Sequence, residues 1–452
     1  MKIVMIGAGS AQFGLSALGD IFQSKLLQGS QIVLVDIDGE ALNKVYSIAQ
    51  NFVNQHALPF ELQASTKREA VLHDADAVLI SIEVGNRFQL WNEDWSIPQQ
   101  FGISQIYGEN GGVGGIFHAL RIVPVILDIC EDIIKYCPEA YVFNYSNPMT
   151  AISTTVLRKY PKLNFIGMCH EIASLERYIP AILGTDFDNL SLRAGGLNHF
   201  SVLLEAKYND SKKDAYPDIL AKAPTFFKEE PGYSDLLDYA RKNGKLPHSE
   251  GNIERLNLDI KISKKNWADR TLFKEILETY ALLPITTDSH FGEYIPWASE
   301  IADHTGIKDF YSVYQLMLTE YRPKIELNRS ERAVLILEGL ITDSGYEEPA
   351  INILNNGLIP SLPDWIAVEV PGIITKNGIK GIGFPNYPKG IAALLRNYCG
   401  VYDLVAEAIV TQKKDYVIQA ILANPIVNTY RNVRELTDFM IERQSKWLRY
   451  LT

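Results

Sequence analysis

The sequence predicts an α/β protein: a doubly wound, mainly parallel sheet followed by a mixed α+β lobe. Three observations carry this expectation. Short apolar runs of strand length alternate with longer segments of helical period through the first third of the chain. The first run ends in Gly7-Ala8-Gly9-Ser10 and passes at once into a helix-like stretch. After about residue 190 the pattern changes to longer, alternating strands and separate helical segments.

Taken in order, Lys2–Ile6, Gln31–Asp38, Asp74–Ile82, Ala140–Tyr145 and Asn164–Met168 read as strands. They are nearly continuous in apolar residues, as strands buried on both faces are. Ala11–Leu26, Gly39–Asn54, Gly114–Tyr136 and Thr150–Lys159 read as the helices between them. Leu190–Tyr208 holds alternating strands around Gly195-Gly196. The polar stretch 209–265 has no readable period. Helical segments follow near Trp267–Leu282, Pro323–Leu340, Lys389–Asn397, Tyr402–Val410 and Val433–Arg449, while Leu358–Pro385 reads as extended and turn-rich. No internal repeat, low-complexity tract or flexible linker stands out. Residues 1–190 and 191–452 are therefore expected as two parts packed together, the second as lid and substrate lobe.

Composition narrows the function classes. A chain of 452 residues, 47% hydrophobic and 21% charged, has the balance of a soluble globular protein with a large core. Its net charge of −11 argues against nucleic acid and anionic membrane as partners. Four cysteines are too few for a disulfide framework, and free thiols fit a reducing compartment. The amino terminus enters a strand directly, and no stretch is expected to approach the roughly 20 apolar residues of a membrane span. The expectation is cytoplasmic.

Gly7 and Gly9 permit a tight turn and close approach of a pyrophosphate, with Ser10 opening the helix whose N-terminus faces the anion. The third glycine of the usual fingerprint falls on Gln12. Asp36, at the end of the second strand, is placed to accept from ribose hydroxyls and to repel a 2′-phosphate, which favours NAD over NADP. The ordinary alternatives are a ligand-free glycine turn and a helix-capping Asp, a role that suits Asp38 better.

Three short segments carry chemistry: Asn144-Tyr145-Ser146-Asn147-Pro148, Cys169-His170-Glu171 and Gly196-Leu197-Asn198-His199. The first two lie at carboxyl ends of strands, where open α/β sheets bind ligands. A thiolate from Cys169 and an imidazole from His199 can hold a divalent metal with positions left open for substrate. Alternatively each is a buried structural residue.

These motifs, with Glu109-Asn110-Gly111-Gly112-Val113-Gly114-Gly115 and Asp288-Ser289-His290-Phe291-Gly292-Glu293-Tyr294, stand in the order seen in glycoside hydrolase family 4, and the chain resembles that family nearly end to end. The resemblance implies the Rossmann-like fold of lactate and malate dehydrogenases, NAD and Mn²⁺ (or another divalent metal), and a homodimer or homotetramer. It also implies an unusual glycosidase mechanism: oxidation at C3 of the sugar by NAD⁺, loss of the C2 proton, elimination, water addition and re-reduction. The metal polarises the C3 oxygen. By the same resemblance Cys169 and His199 are the metal ligands, Asn147 binds substrate hydroxyls, Asn144 lies nearer the cofactor, and His170 donates a proton to the leaving oxygen.

The base that takes the C2 proton is left open among Tyr280, Asp288 and His290, each of which has an ordinary structural alternative. Arg270 could bind a sugar hydroxyl or carboxylate, or be a surface cation. Asn110, in the glycine-rich loop, is a substrate-binding candidate. Trp91, Trp95 and Trp297 could stack on a sugar or pack in the core. No basic cluster marks a 6-phosphate site, so a plain α-glucoside, α-galactoside or uronide is expected, Cys-His-Glu-Ile leaning to a uronide. The rivals are a lactate/malate-type 2-hydroxy-acid dehydrogenase, a 6-phospho-α-glycosidase and a non-catalytic NAD-binding module.

Overall fold

The computed structural model describes residues 1–169, 171–229, 233–244, 271–286, 288–301, 312–316, 323–327 and 331–452. One sheet organises them. Its strands are β1 (Lys2–Ile6), β2 (Gln31–Val35), β3 (Glu61–Ser65), β4 (Ala77–Ile80), β5 (Tyr141–Asn144), β6 (Phe165–Gly167), β7 (Leu190–Leu197), β8 (Phe200–Tyr208), β9 (Tyr346–Leu354), β10 (Ala367–Thr375) and β11 (Gly378–Gly381). The order is β3-β2-β1-β4-β5-β6-β9-β10-β7-β8, with β11 on β10.

The first six strands pair in parallel. They alternate with helices α1 (Ala11–Gln23), α2 (Gly39–Gln55), α3 (Arg87–Gln100), α4 (Gly112–Tyr136) and α5 (Met149–Lys159). This is the doubly wound fold expected from the alternating pattern. Val4, Val33, Val78 and Val142, from four adjacent strands, are all fully buried. That explains why these strands read as unbroken apolar runs rather than as alternating ones.

The second part does not form a separate layer. β9 pairs antiparallel to β6 through Gly167 and Asn352, and β10 pairs antiparallel to β7 through Glu369 and Gly196. The sheet therefore runs without interruption across residue 190, and the core is shared.

Several elements differ from expectation. β3, with the sequence ELQAS, is a partly exposed edge strand with no apolar run to reveal it. α3 buries Glu93 and Asp94 together with Trp91 and Trp95, so its polar residues hide its inner face. The two helices expected at Lys389–Asn397 and Tyr402–Val410 are one, Lys389–Thr411; a side chain at Gly400 would meet open space, so that glycine does not break it. The helix expected over Pro323–Leu340 begins only at Ala333 and runs to Thr342. β9 contains Glu347, Glu348 and Pro349, which disguised it. Helices Tyr216–Glu229 and Tyr233–Asn243 occupy part of the unread polar stretch.

α4 is the one helix among the described residues long and apolar enough to cross a membrane, with a window of mean hydropathy 1.8. This corrects the expectation that no stretch comes near. That window is 83% buried inside the protein, and α4 packs on α3, α5 and the helix Lys389–Thr411 as a core helix.

Candidate active site

The turn after β1 is specified by its glycines. Gly7 has φ +87°, and a β-carbon there would lie 1.9 Å from the Ser81 carbonyl oxygen on the next strand. Gly9 donates its N–H to Asp36 Oδ2 at 2.8 Å, and Asp36 Oδ1 accepts from Asp38 N at 2.9 Å. Asp38 caps α2, accepting from Glu40 and Ala41 N–H at 3.0 Å each. Asp36 is thus left at the strand end rather than spent on the cap.

Beside this turn lies a cavity of about 440 Å³. Ser10, Ser81, Asn147, Cys169, Glu171 and His199 are among its walls. Each comes from just beyond the carboxyl end of a parallel strand (Ser10 from the turn between β1 and α1) or from the two-residue turn Asn198–His199 between β7 and β8. Asn147 Oδ1 is buried there with no hydrogen-bond partner. His199 has φ +61°, a left-handed conformation unusual for a side-chain-bearing residue and one that concentrates at functional sites.

Cys169 Sγ, a Glu171 carboxylate oxygen and a His199 ring nitrogen all lie within 4.8 Å of one another. Glu171 also accepts from His199 N at 3.0 Å and lies 3.5 Å from His199 Nε2. Burial, then the charge of His290, pulls the His199 pKa well below its usual value, so its imidazole is neutral. Burial, then the negative charges of Glu171 and Glu369, pushes the Cys169 thiol well up. An imidazole nitrogen, a thiol sulfur and a carboxylate oxygen so placed offer three donors to one dication, whose charge would favour the thiolate and carboxylate forms. Sulfur, nitrogen and carboxylate oxygen together also suit a transition-metal dication. A second group of possible ligands, Glu109, His199 and His290, shares the same imidazole.

His290 lines the cavity with its ring 4.3 Å from that of His199, and its Nδ1 lies 3.0 Å from Glu293 Oε1. Glu293 Oε2 accepts from Asn110 N and Gly111 N at 2.7 and 2.6 Å, at the N-terminus of α4. Burial nevertheless raises the Glu293 carboxyl to about 8.

Three expected placements change. Asn144 is fully buried, its carboxamide donating to Ser146 O at 3.0 Å, so it shapes the strand-end turn and does not line the cavity. Asn110 is also off the cavity wall; its carboxamide nitrogen lies 2.6 Å from His199 Nδ1, and its Oδ1 is buried without a partner. Tyr280 ends the helix Thr271–Tyr280 with its ring over Gly390, away from the cavity. Trp91 and Trp95 are core residues and Trp297 is half-buried; none lines the cavity. Asp288 opens the short helix Asp288–Gly292, but its side chain, like His170 and Arg270 entirely, lies outside the described residues.

Sequence reasoning passed over Glu171, although it stands two residues from Cys169, and over Glu293 inside a quoted motif. Arg87 and Glu331, also on the cavity wall, carried no local signal.

Residues 2–185 match the Family 4 glycosyl hydrolase model and residues 194–427 match the Family 4 glycosyl hydrolase C-terminal domain. The chain belongs to glycosyl hydrolase family 4 and is a glycoside hydrolase. An alpha-glucosidase of Erwinia rhapontici is 59% identical over 450 residues, spanning 100% of this chain and 99% of that protein. A 6-phospho-alpha-glucosidase from gut microorganisms, solved in complex with NAD and Mn²⁺, superposes with a TM-score of 0.75 at 17% identity over 98% of each chain. The malate dehydrogenase of Cryptosporidium parvum superposes with a TM-score of 0.52 at 15% identity over 91% of this chain and 99% of its own, a likeness of fold.

Proposed function

We propose that this enzyme is an NAD- and Mn²⁺-dependent α-glucosidase acting on non-phosphorylated substrates. The observation that carries the reading is the meeting of Cys169, Glu171 and His199 on one cavity wall beside the Gly7–Ser10 turn. The 59% identity to an alpha-glucosidase supports a glucoside over the galactoside and uronide alternatives. Arg87 is the only Lys or Arg among the described cavity-lining residues, and it already donates to Glu109 and Tyr314. A 6-phosphate therefore has no basic cluster to meet among these residues.

In this reading Gly7, Gly9, Ser10 and Asp36 hold the dinucleotide, and Cys169 and His199, joined by Glu171, hold the ion. Bound there, the two supply a hydride acceptor for the sugar's C3 and a Lewis acid for the C3 oxygen. Asn110 orients His199: with its carboxamide turned over, Oδ1 accepts from Nδ1–H, and the Nε2 lone pair is left for the ion. The unpartnered Asn147 Oδ1 accepts from a sugar hydroxyl. His290, steadied by Glu293, takes the C2 proton on its Nε2, and Asp288 is the rival for that role. His170 gives a proton to the leaving oxygen.

Residues 1–190 serve as the dinucleotide domain and 191–452 as the substrate and oligomer-forming part of a cytoplasmic homodimer or homotetramer. Sedimentation velocity tests the assembly.

The decisive experiment is a panel of nitrophenyl α- and β-glucosides, galactosides, glycuronides and 6-phosphates with NAD⁺, Mn²⁺ and dithiothreitol. The reading expects aglycone from the plain α-glucoside, no net NADH, and exchange of the C2 hydrogen with solvent deuterium. Release only from a 6-phosphate, or stoichiometric NADH with a hydroxy acid, would replace it with one of its rivals.

A further inference from the structure

Arg87 opens α3 and is the only Lys or Arg among the described residues that line the cavity. Its guanidinium carbon lies 4.0 Å from the centroid of the Trp91 ring and 5.5 Å from that of Tyr314. Two aromatic faces therefore fix where the charge sits. Nη2 donates to Glu109 Oε1 at 3.3 Å and Nη1 to the Tyr314 hydroxyl at 3.4 Å, while Nε lies 4.0 Å from Glu83 Oε2. Each nitrogen of the guanidinium thus already faces a protein oxygen.

Glu109 stands behind this wall rather than on it. Its side chain is 5% exposed, and its Oε2 lies 3.7 Å from His290 Nε2. At that depth water screens the pair weakly, so a carboxylate 3.3 Å from the guanidinium cancels most of the field that Arg87 would cast into the cavity. Arg87 can still donate to a neutral hydroxyl. A charged sugar is in a different position. Its carboxylate or phosphate must shed water to enter, and only an unpaired cation could offset that cost. With Glu109 in place the incoming anion meets a like charge beside the guanidinium instead.

We infer that Glu109 is a specificity-determining residue: by pairing with Arg87 it masks the cavity's basic group and reserves the site for sugars without an anionic substituent. The inference rests on the reading that the cavity takes the sugar of a plain α-glucoside. It adds to that reading a latent anion site, built from Arg87 and its aromatic supports and held closed by one buried carboxylate. Specificity of this kind comes from a repulsive element set against the wrong ligand as much as from contacts to the right one.

The test titrates the full chain, with NAD⁺ and Mn²⁺ present, with glucose, glucuronate and glucose 6-phosphate, and reads each Kd by calorimetry. The parental enzyme should bind glucose more tightly than either anion; the reverse order would overturn the substrate reading and this inference with it. Glu109→Gln should strengthen the anions relative to glucose by about 10–100-fold, because a freed guanidinium makes charge-assisted bonds. A gain for glucuronate, for the 6-phosphate or for both supports the inference and shows which anion the freed group fits. Adding Arg87→Met to Glu109→Gln should remove most of the gain. A ratio of anion to glucose affinity unmoved in Glu109→Gln, or a gain of the same size that survives Arg87→Met, overturns the inference and leaves the substrate reading intact. Should Glu109→Gln not fold, Glu109→Asp, with its carboxylate drawn back by one methylene, should give a smaller gain of the same sign, and no gain there overturns the inference equally.

Discussion

At the residue scale, pairs of side chains set the chemistry. Asn110 is the strongest example, with its carboxamide against His199 Nδ1 and away from the cavity wall. Asn110→Ala should weaken Mn²⁺ binding by about 10–100-fold while moving the melting temperature little, as isothermal titration and a thermal melt would show. Unaltered Mn²⁺ affinity would mean that Asn110 does not orient the imidazole. Glu83 and His118 give a pH signature at a second pair, 3.4 Å apart, in which His118 is buried and Glu83 is partly open to solvent. Although burial opposes ionisation of both, the charge of His118 holds Glu83 down to about 2, and Glu83 raises His118 above its usual value. Because Glu83 is lowered, its contribution is full above pH 4.5 and is lost as pH falls toward 2. Because His118 is raised, its share is full below pH 6.5 and is lost as pH rises through its folded value. Glu83→Gln should therefore cost most between those limits, on the order of 2 kcal/mol, and progressively less on either side. A denaturant series across pH measures this; a penalty constant with pH would contradict it.

At the element scale, strand-to-helix turns present the site. The turn after β1 tolerates only glycine at position 7, because both its φ and the Ser81 carbonyl exclude a β-carbon. Gly7→Ala should push the turn off β4, raise the NAD⁺ dissociation constant at least about tenfold and lower stability by about 2 kcal/mol. Tryptophan-quenching titration and a thermal melt follow both; parental NAD⁺ affinity would be the contrary result. The glycine pattern made this turn legible in the sequence. In the sequence Leu190–Tyr208 reads as alternating strands around Gly195-Gly196, and that glycine pair does not mark the turn itself. The observed turn is Asn198–His199, and it puts an imidazole where a glycine would be easier.

At the scale of the whole molecule, distant segments are tied by buried polar groups. Arg121 of α4 pairs with Asp94 of α3, and both bind Gln444 near the carboxyl end, with all three side chains buried. Arg443 adds a contact to Glu93 at 2.8 Å. The carboxyl-terminal helices are thus anchored on the two helices that flank the Glu109–Gly115 loop. Asp94→Ala leaves Arg121 charged and buried without its counter-ion, so it should cost about 3–5 kcal/mol. Asp94→Ala combined with Arg121→Met should recover part of that loss. Calorimetric melting of the two variants measures it, and a double variant no more stable than the single would count against the pairing.

The sequence alone determined the doubly wound half, the glycine turn after β1 and the family, because these rest on local properties. Hydrophobic period, the backbone freedom of Gly7 and contiguous motifs such as Cys169-His170-Glu171 are all read within a few residues. Only the tertiary structure decided which polar groups meet. Glu369 beneath Asn198, Glu293 on the first turn of α4 and Asn110 on His199 are joined across 171, 183 and 89 residues. Long-range register and burial set such pairs, and an isolated Glu or Asn in the chain carries no mark of the partner that burial will oblige it to find.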